Sequence, residues 1–115
     1  MSAELPGAYP VGLSAMDDEF APMFSVGQVA SMLEVQHAFL RRIDQQHVVS
    51  PQRSAGGQRR YSRHDIGQIR QVVVLMGEGM TLAAVRRIIE LEFEVIRLRR
   101  ERDELAARLR GLGVE

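Results

Sequence analysis

From Ile88 to the C-terminus, apolar residues return every seven positions. With position a at Ile88, the a/d pairs are Ile88/Leu91, Val95/Leu98, Arg102/Leu105 and Leu109/Leu112, and seven of these eight residues are apolar. A spacing of 3.5 residues excludes a strand and marks a helix with one narrow apolar seam. The flanking e and g positions include Glu92, Glu94, Arg99, Glu101 and Arg108. Both signs are present, as in two-stranded coiled coils. A helix packed on its own domain would show the same stripe. One this long, however, runs well past any core that 115 residues can build. Residues 88–115 are therefore expected to form a coiled-coil dimerisation helix. Arg102 interrupts its seam and is expected to snorkel or to pair with a nearby Glu.

The chain ahead of this helix is long enough for one small domain. Residues 1–22 contain three Pro, two Gly and an acidic cluster without apolar period, which reads as a disordered acidic tail. Ser25 and Gln28 have the spacing of a capping box, and Val26, Val29, Ala30 and Leu33 continue it as a first helix over Val26–Leu33. Glu34–Gln36 is the expected turn. A second helix is expected over His37–Gln46, with Phe39, Leu40 and Ile43 facing inward. Two helices this short, so closely joined, have the size of a helix-turn-helix. An ordinary helical hairpin is the plain alternative, and the basic residues that follow argue against it.

Gly56-Gly57 lies between the two short extended runs Val48–Arg53 and Arg59–Ser62, as in a β-hairpin or wing. Ser62 with Asp65 opens a third helix, with Ile66, Ile69, Val72, Val73 and Met76 on one face and Gly77 and Gly79 at its end. Thr81 caps a fourth, carrying Leu82, Val85, Ile88 and Ile89. The expected class is mainly α: a winged helix-turn-helix domain over 23–87, followed by the coiled-coil helix.

The net charge of zero conceals an uneven distribution. Residues 1–22 hold four acids and no base, 23–76 seven Arg against three acids, and 77–115 eight of each sign. A basic middle beside a balanced helical tail suits a nucleic-acid reader with an appendage. With no Cys, disulfides and thiolate sensing are excluded. The three His are dispersed and no Gly-rich phosphate loop follows a strand, so neither an enzyme, a cofactor nor a metal site is expected. Met1 to Phe20 resembles no signal peptide and no run would span a bilayer, which points to the cytoplasm.

Several segments resemble the MerR family of transcription regulators across about residues 23–92. Met23–Ala30 looks like the opening of its DNA-binding domains. Leu40-Arg41-Arg42-Ile43-Asp44 stands where the family commonly has Leu-Arg-Tyr-Tyr-Glu. Val48-Val49-Ser50-Pro51-Gln52-Arg53 and Gly57-Gln58-Arg59-Arg60-Tyr61-Ser62 are similar to its Leu-x-x-Pro-x-Arg and Gly-Tyr-Arg-x-Tyr-Ser segments. Within the family, the heat-shock-repressor branch is the most similar. Three positions depart from the pattern: Arg42 and Ile43 replace a Tyr pair, His47 replaces a Gly after the second helix, and Glu34 replaces the turn Gly.

The resemblance implies a homodimer on double-stranded DNA with a near-palindromic operator, and leaves RNA polymerase or a chaperone co-repressor as further partners. The second helix would enter the major groove, with Gln36, His37 and Arg41 at base edges. Arg42 would replace by charge part of what the Tyr hydroxyls supply. The wing would bring Arg53, Arg59 and Arg60 to phosphates or the minor groove. Tyr61 at its base is counted in the same set, with a core role tying wing to helices as the other reading. A protein-interaction module, an antagonist or adaptor using the coiled coil, is the alternative function. A small phage-type architectural factor is a third.

Overall fold

Ser25 closes a two-residue strand and opens a helix in one step. In the computed structural model, which describes residues 18–113, Ser25 Oγ accepts from the Gln28 amide at 3.1 Å while Gln28 Oε1 accepts from the Ser25 amide at 2.8 Å. This reciprocal box is worth about 1 kcal/mol and starts α1 (Val26–Leu33) where the sequence predicted it. Residues 1–17 of the expected tail, and residues 114–115, lie outside the described residues.

Glu34 ends α1 in the left-handed conformation, φ 55° and ψ 47°. That reversal lets the Val35 amide donate to the Ala30 carbonyl at 3.0 Å and sends the chain into α2 (His37–Gln45). Leu40 and Ile43 bury the inward face of α2, and Val29 and Ala30 that of α1. The two helices therefore share one apolar contact, as a helix-turn-helix does.

Three short antiparallel strands follow from the wing. The hairpin strands β2 (Gln52–Arg53) and β3 (Arg59–Tyr61) pair Gln52 with Arg60 and Arg53 with Arg59. Ser54 closes their turn, its amide donating to Gln58 O at 2.7 Å, and Gly57 takes φ +83° there. The other edge of β3 carries β1 (Phe24–Ser25), with Phe24 opposite Tyr61, so the sheet order is β1-β3-β2. β1 was not anticipated, because two residues have no periodicity to read.

Ser62 and Asp65 form a second capping box at 3.0 and 2.9 Å, opening α3 (Arg63–Gly77). Ile66, Ile69 and Val72 of α3 are buried. Val73, expected on the same face, is 38% exposed, since it lies one residue step around the helix from Val72. Thr81 Oγ1 accepts from the Ala84 amide at 3.1 Å and starts α4 (Leu82–Gly111). The fourth helix and the coiled-coil segment expected from the sequence are thus one continuous helix of 30 residues. Only its first turns, through Leu82, Val85 and Ile89, enter the core.

At 1.5 Å per residue α4 is about 45 Å long, and the molecule is correspondingly drawn out to 55 × 42 × 26 Å. Its radius of gyration is 18.2 Å, where a compact domain of this length has about 13 Å. Among the described residues, no helix is long and apolar enough to cross a membrane.

Candidate nucleic-acid interface

The outward face of α2 follows from its inward one. Burying Leu40 and Ile43 turns His37 and Arg41, one helical turn apart, away from the core, and both are exposed. Gln36 is the N-cap residue but its side chain makes no capping bond, which leaves the amide group at the helix entrance. Arg42 is exposed beside Arg41. Among the described residues, no carboxylate pairs with Arg41, Arg42 or Arg60. Ile43, which replaces a Tyr of the pattern, is 1% exposed and belongs to the core.

The wing lies beside this helix and is fastened to it. Arg53 Nη2 and Arg59 Nε both donate to Asp44 Oδ2, at 2.9 and 2.8 Å. The Asp44 carboxylate is 13% exposed and the Arg59 side chain 20%, whereas Arg53 keeps half its surface in solvent. Arg60 points to the opposite face of β3, its Nη2 reaching Gln58 Oε1 at 3.3 Å. Residues Ser25, Val26, Arg53, Gly57, Gln58, Arg59 and Arg60 line a shallow concavity along the wing.

Tyr61 requires a correction. It was counted with the DNA-facing set, but alternation along β3 places it inside, 1% exposed. Its hydroxyl is buried without a hydrogen-bond partner among the described residues. Burial pushes the phenol above its ordinary value of 10.0, with Arg59 opposing and Asp44 reinforcing the shift. Tyr61 packs in the core cluster, which agrees with the reading in which it ties the wing to the helices.

Two further contacts were not foreseen. Arg86 of α4 donates through Nη1 to the Gln46 carbonyl at 3.3 Å, linking the long helix to the end of α2. At the start of α3, His64 donates its amide to the Glu19 carbonyl at 2.9 Å, while its ring lies 4.7 Å from that of Phe20. Residues assigned to the tail therefore touch the start of α3. Neither contact has a sequence signal, because each joins segments distant along the chain.

Along α4 the expected seam is a surface. Leu91, Val95, Leu98, Leu105 and Leu109 are 43–54% exposed, and Ile88 is half-buried where the helix leaves the core. Leu112 is at the helix C-cap, more exposed still. Arg102 pairs with Asp103 at 2.8 Å and both are well exposed. Arg97 pairs with Glu94 and Glu101 on the flank of this stripe, and its hydrogen bond and charge hold the Glu94 carboxyl below the usual range. Among the described residues no cluster of His, Cys, Asp and Glu could hold a metal ion.

Residues 24–92 match the family model of MerR HTH family regulatory proteins. Over 94 residues the chain is 43% identical to the putative heat shock protein HspR of Streptomyces coelicolor, covering 81% of this chain and 62% of that relative. The chain therefore spans less than two thirds of the relative's length. Among solved structures, a MerR-family transcriptional regulator from Bacillus cereus shares 22% identity, with a TM-score of 0.56 over 78% of this chain and 72% of that one. The MerR-family regulator HiNmlR, which lacks the sensor domain and was solved bound to promoter DNA, superposes with a TM-score of 0.56 at 17% identity, covering 78% and 75%. At these identities the two structures show a shared fold.

Proposed function

Because the chain belongs to the MerR family of helix-turn-helix regulatory proteins, we propose that it regulates transcription by binding a near-palindromic operator in double-stranded DNA as a homodimer. The observation that carries this reading is the exposed pair Arg41 and Arg42 on the second helix of the helix-turn-helix, which no carboxylate meets among the described residues. In the major groove, Arg41 can address guanine bidentately, with Gln36 and His37 at neighbouring base edges. Arg42 and the wing arginines Arg53, Arg59 and Arg60 add positive charge beside it, which attracts the polyanionic backbone.

The homodimer rests on the apolar stripe of α4. Among the described residues Leu91, Val95, Leu98, Leu105 and Leu109 stay about half exposed, and burying such a seam against a second copy removes it from water. Ile88, Arg102 and Leu112 complete the proposed interface. On this reading residues 1–22 form a tail, 23–87 the DNA-binding domain and 88–115 the dimerisation segment. The 87/88 division is one of function, since α4 runs through it unbroken. The cytoplasm is the compartment that this reading implies. RNA polymerase or a chaperone as an additional partner rests on the family resemblance alone.

The test is selection of bound duplexes from fragmented genomic DNA, followed by fluorescence anisotropy at two salt concentrations. A selected site with two-fold symmetry, bound more weakly at higher salt, is the expected result. Failure to bind any duplex in a salt-dependent way would leave the interaction-module reading, with α4 as its contact surface.

A further inference from the structure

Arg53 and Arg59 face each other directly across the wing hairpin. Two like charges in that register repel and would splay the strands. The structure places a single carboxylate oxygen between them: Asp44 Oδ2 accepts from Arg53 Nη2 at 2.9 Å and from Arg59 Nε at 2.8 Å. Asp44 occupies the last turn of α2, so the same oxygen binds both wing strands to the recognition helix. The outer face of the hairpin is different. Arg60 lies between Gln52 and Ser25 in the sheet register and meets no carboxylate among the described residues.

We infer that Asp44 is a positioning residue for DNA recognition, which holds Arg53 and Arg59 as struts between wing and recognition helix and leaves Arg60 as the wing's phosphate contact. The inference rests on the DNA-binding reading above and divides its wing charges by role. Phosphate contacts release counterions and steepen the salt dependence of binding; an arginine already paired with a carboxylate in the free protein releases few. Asp44 therefore lowers the wing's attraction for DNA of any sequence. In exchange it fixes the angle at which Arg41 and the wing meet the duplex together, and so raises discrimination between sequences.

The experiment compares wild type, Asp44→Asn, Asp44→Glu, Arg59→Gln and Arg60→Gln on a random-sequence duplex and on the duplex that wild type selects from a random pool. Anisotropy across a salt series is the readout, with circular dichroism melting to establish folding. Asp44→Asn is expected to bind the random duplex several-fold more tightly at low salt and to steepen the salt slope by roughly one to two units, about 0.9 for each arginine released onto phosphate. Its preference for the selected duplex should fall, and Asp44→Glu should restore both values. A folded Asp44→Asn with unchanged slope and unchanged preference overturns the inference. Should Asp44→Asn not fold, the arginine variants decide: Arg60→Gln is expected to flatten the slope by about one unit while Arg59→Gln leaves it nearly unchanged, and equal losses overturn the inference. Wild type that selects no duplex overturns the DNA-binding reading itself, and the inference with it.

Discussion

Glu34 and His47 stand on either side of α2 with nearly the same φ, 55° and 58°, the two non-glycine residues with positive φ among the described residues. The family pattern has Gly at both positions, and the two departures read in the sequence thus fall where the left-handed region is required. A side chain in that region costs roughly 1–2 kcal/mol, against which Gly loses about 0.5–1 kcal/mol in chain entropy.

Glu34→Gly and His47→Gly are each expected to raise stability by about 0.5–1 kcal/mol, read as urea midpoints at fixed protein concentration. Glu34→Gly also removes a carboxylate at the entrance of α2 and should tighten DNA binding, whereas His47→Gly should alter stability alone. A loss of stability in both variants would mean that the side chains contribute contacts larger than the backbone strain.

Helix starts were the most legible part of the fold. Ser25, Ser62 and Thr81 all cap where their spacing to the next polar or apolar residue indicated, because capping is decided within four residues. The continuity of α4 was harder to see, since the change from a core face at Val85 and Ile89 to a seam at Leu91 and Val95 resembles a boundary. With no Gly or Pro between Thr81 and Gly111, the helix has no reason to stop. The site was legible as a set of arginines but not as an arrangement. Asp44 meets Arg53 and Arg59 across 9 and 15 residues of chain, through a hairpin register that no local pattern specifies. Tyr61 was misplaced for the same reason: whether β3 turns Arg60 or Tyr61 inward depends on its pairing with β1, which was not visible.

Removing the Tyr61 hydroxyl should stabilise the protein. A buried polar group without a partner costs about 1–3 kcal/mol, so Tyr61→Phe is expected to gain about 1 kcal/mol, or roughly 4–8 °C in melting temperature. The alkaline side supplies a second readout. Burial raises the folded-state value above 10.0, so the neutral phenol's contribution is complete below the unfolded-state value. It is lost as the pH rises through the folded-state one. Wild type should therefore lose stability above about pH 10 more steeply than Tyr61→Phe. Parallel losses in denaturant melts at neutral and alkaline pH would place the hydroxyl in contact with water.

The seam of α4 is open to a direct test of assembly. Leu98 and Leu105 are 48% and 54% exposed in the single chain, and changing both to Glu should give monomers by light scattering with the DNA-binding domain still folded. Arg102→Leu should do the reverse, completing the apolar seam and raising the melting temperature. A double Glu variant that remains dimeric, or an Arg102→Leu variant no more stable than wild type, would place the contact between copies on another face.

If α2 reads sequence through Arg41, anisotropy on a selected and a scrambled duplex shows it most directly. Arg41 is exposed, lies one turn beyond His37 and meets no carboxylate among the described residues. Arg41→Ala is expected to cost about 1–3 kcal/mol on the selected duplex and much less on the scrambled one. Equal weakening on both duplexes would reduce Arg41 to a phosphate contact, and unchanged affinity on both would contradict the placement of α2 in the major groove.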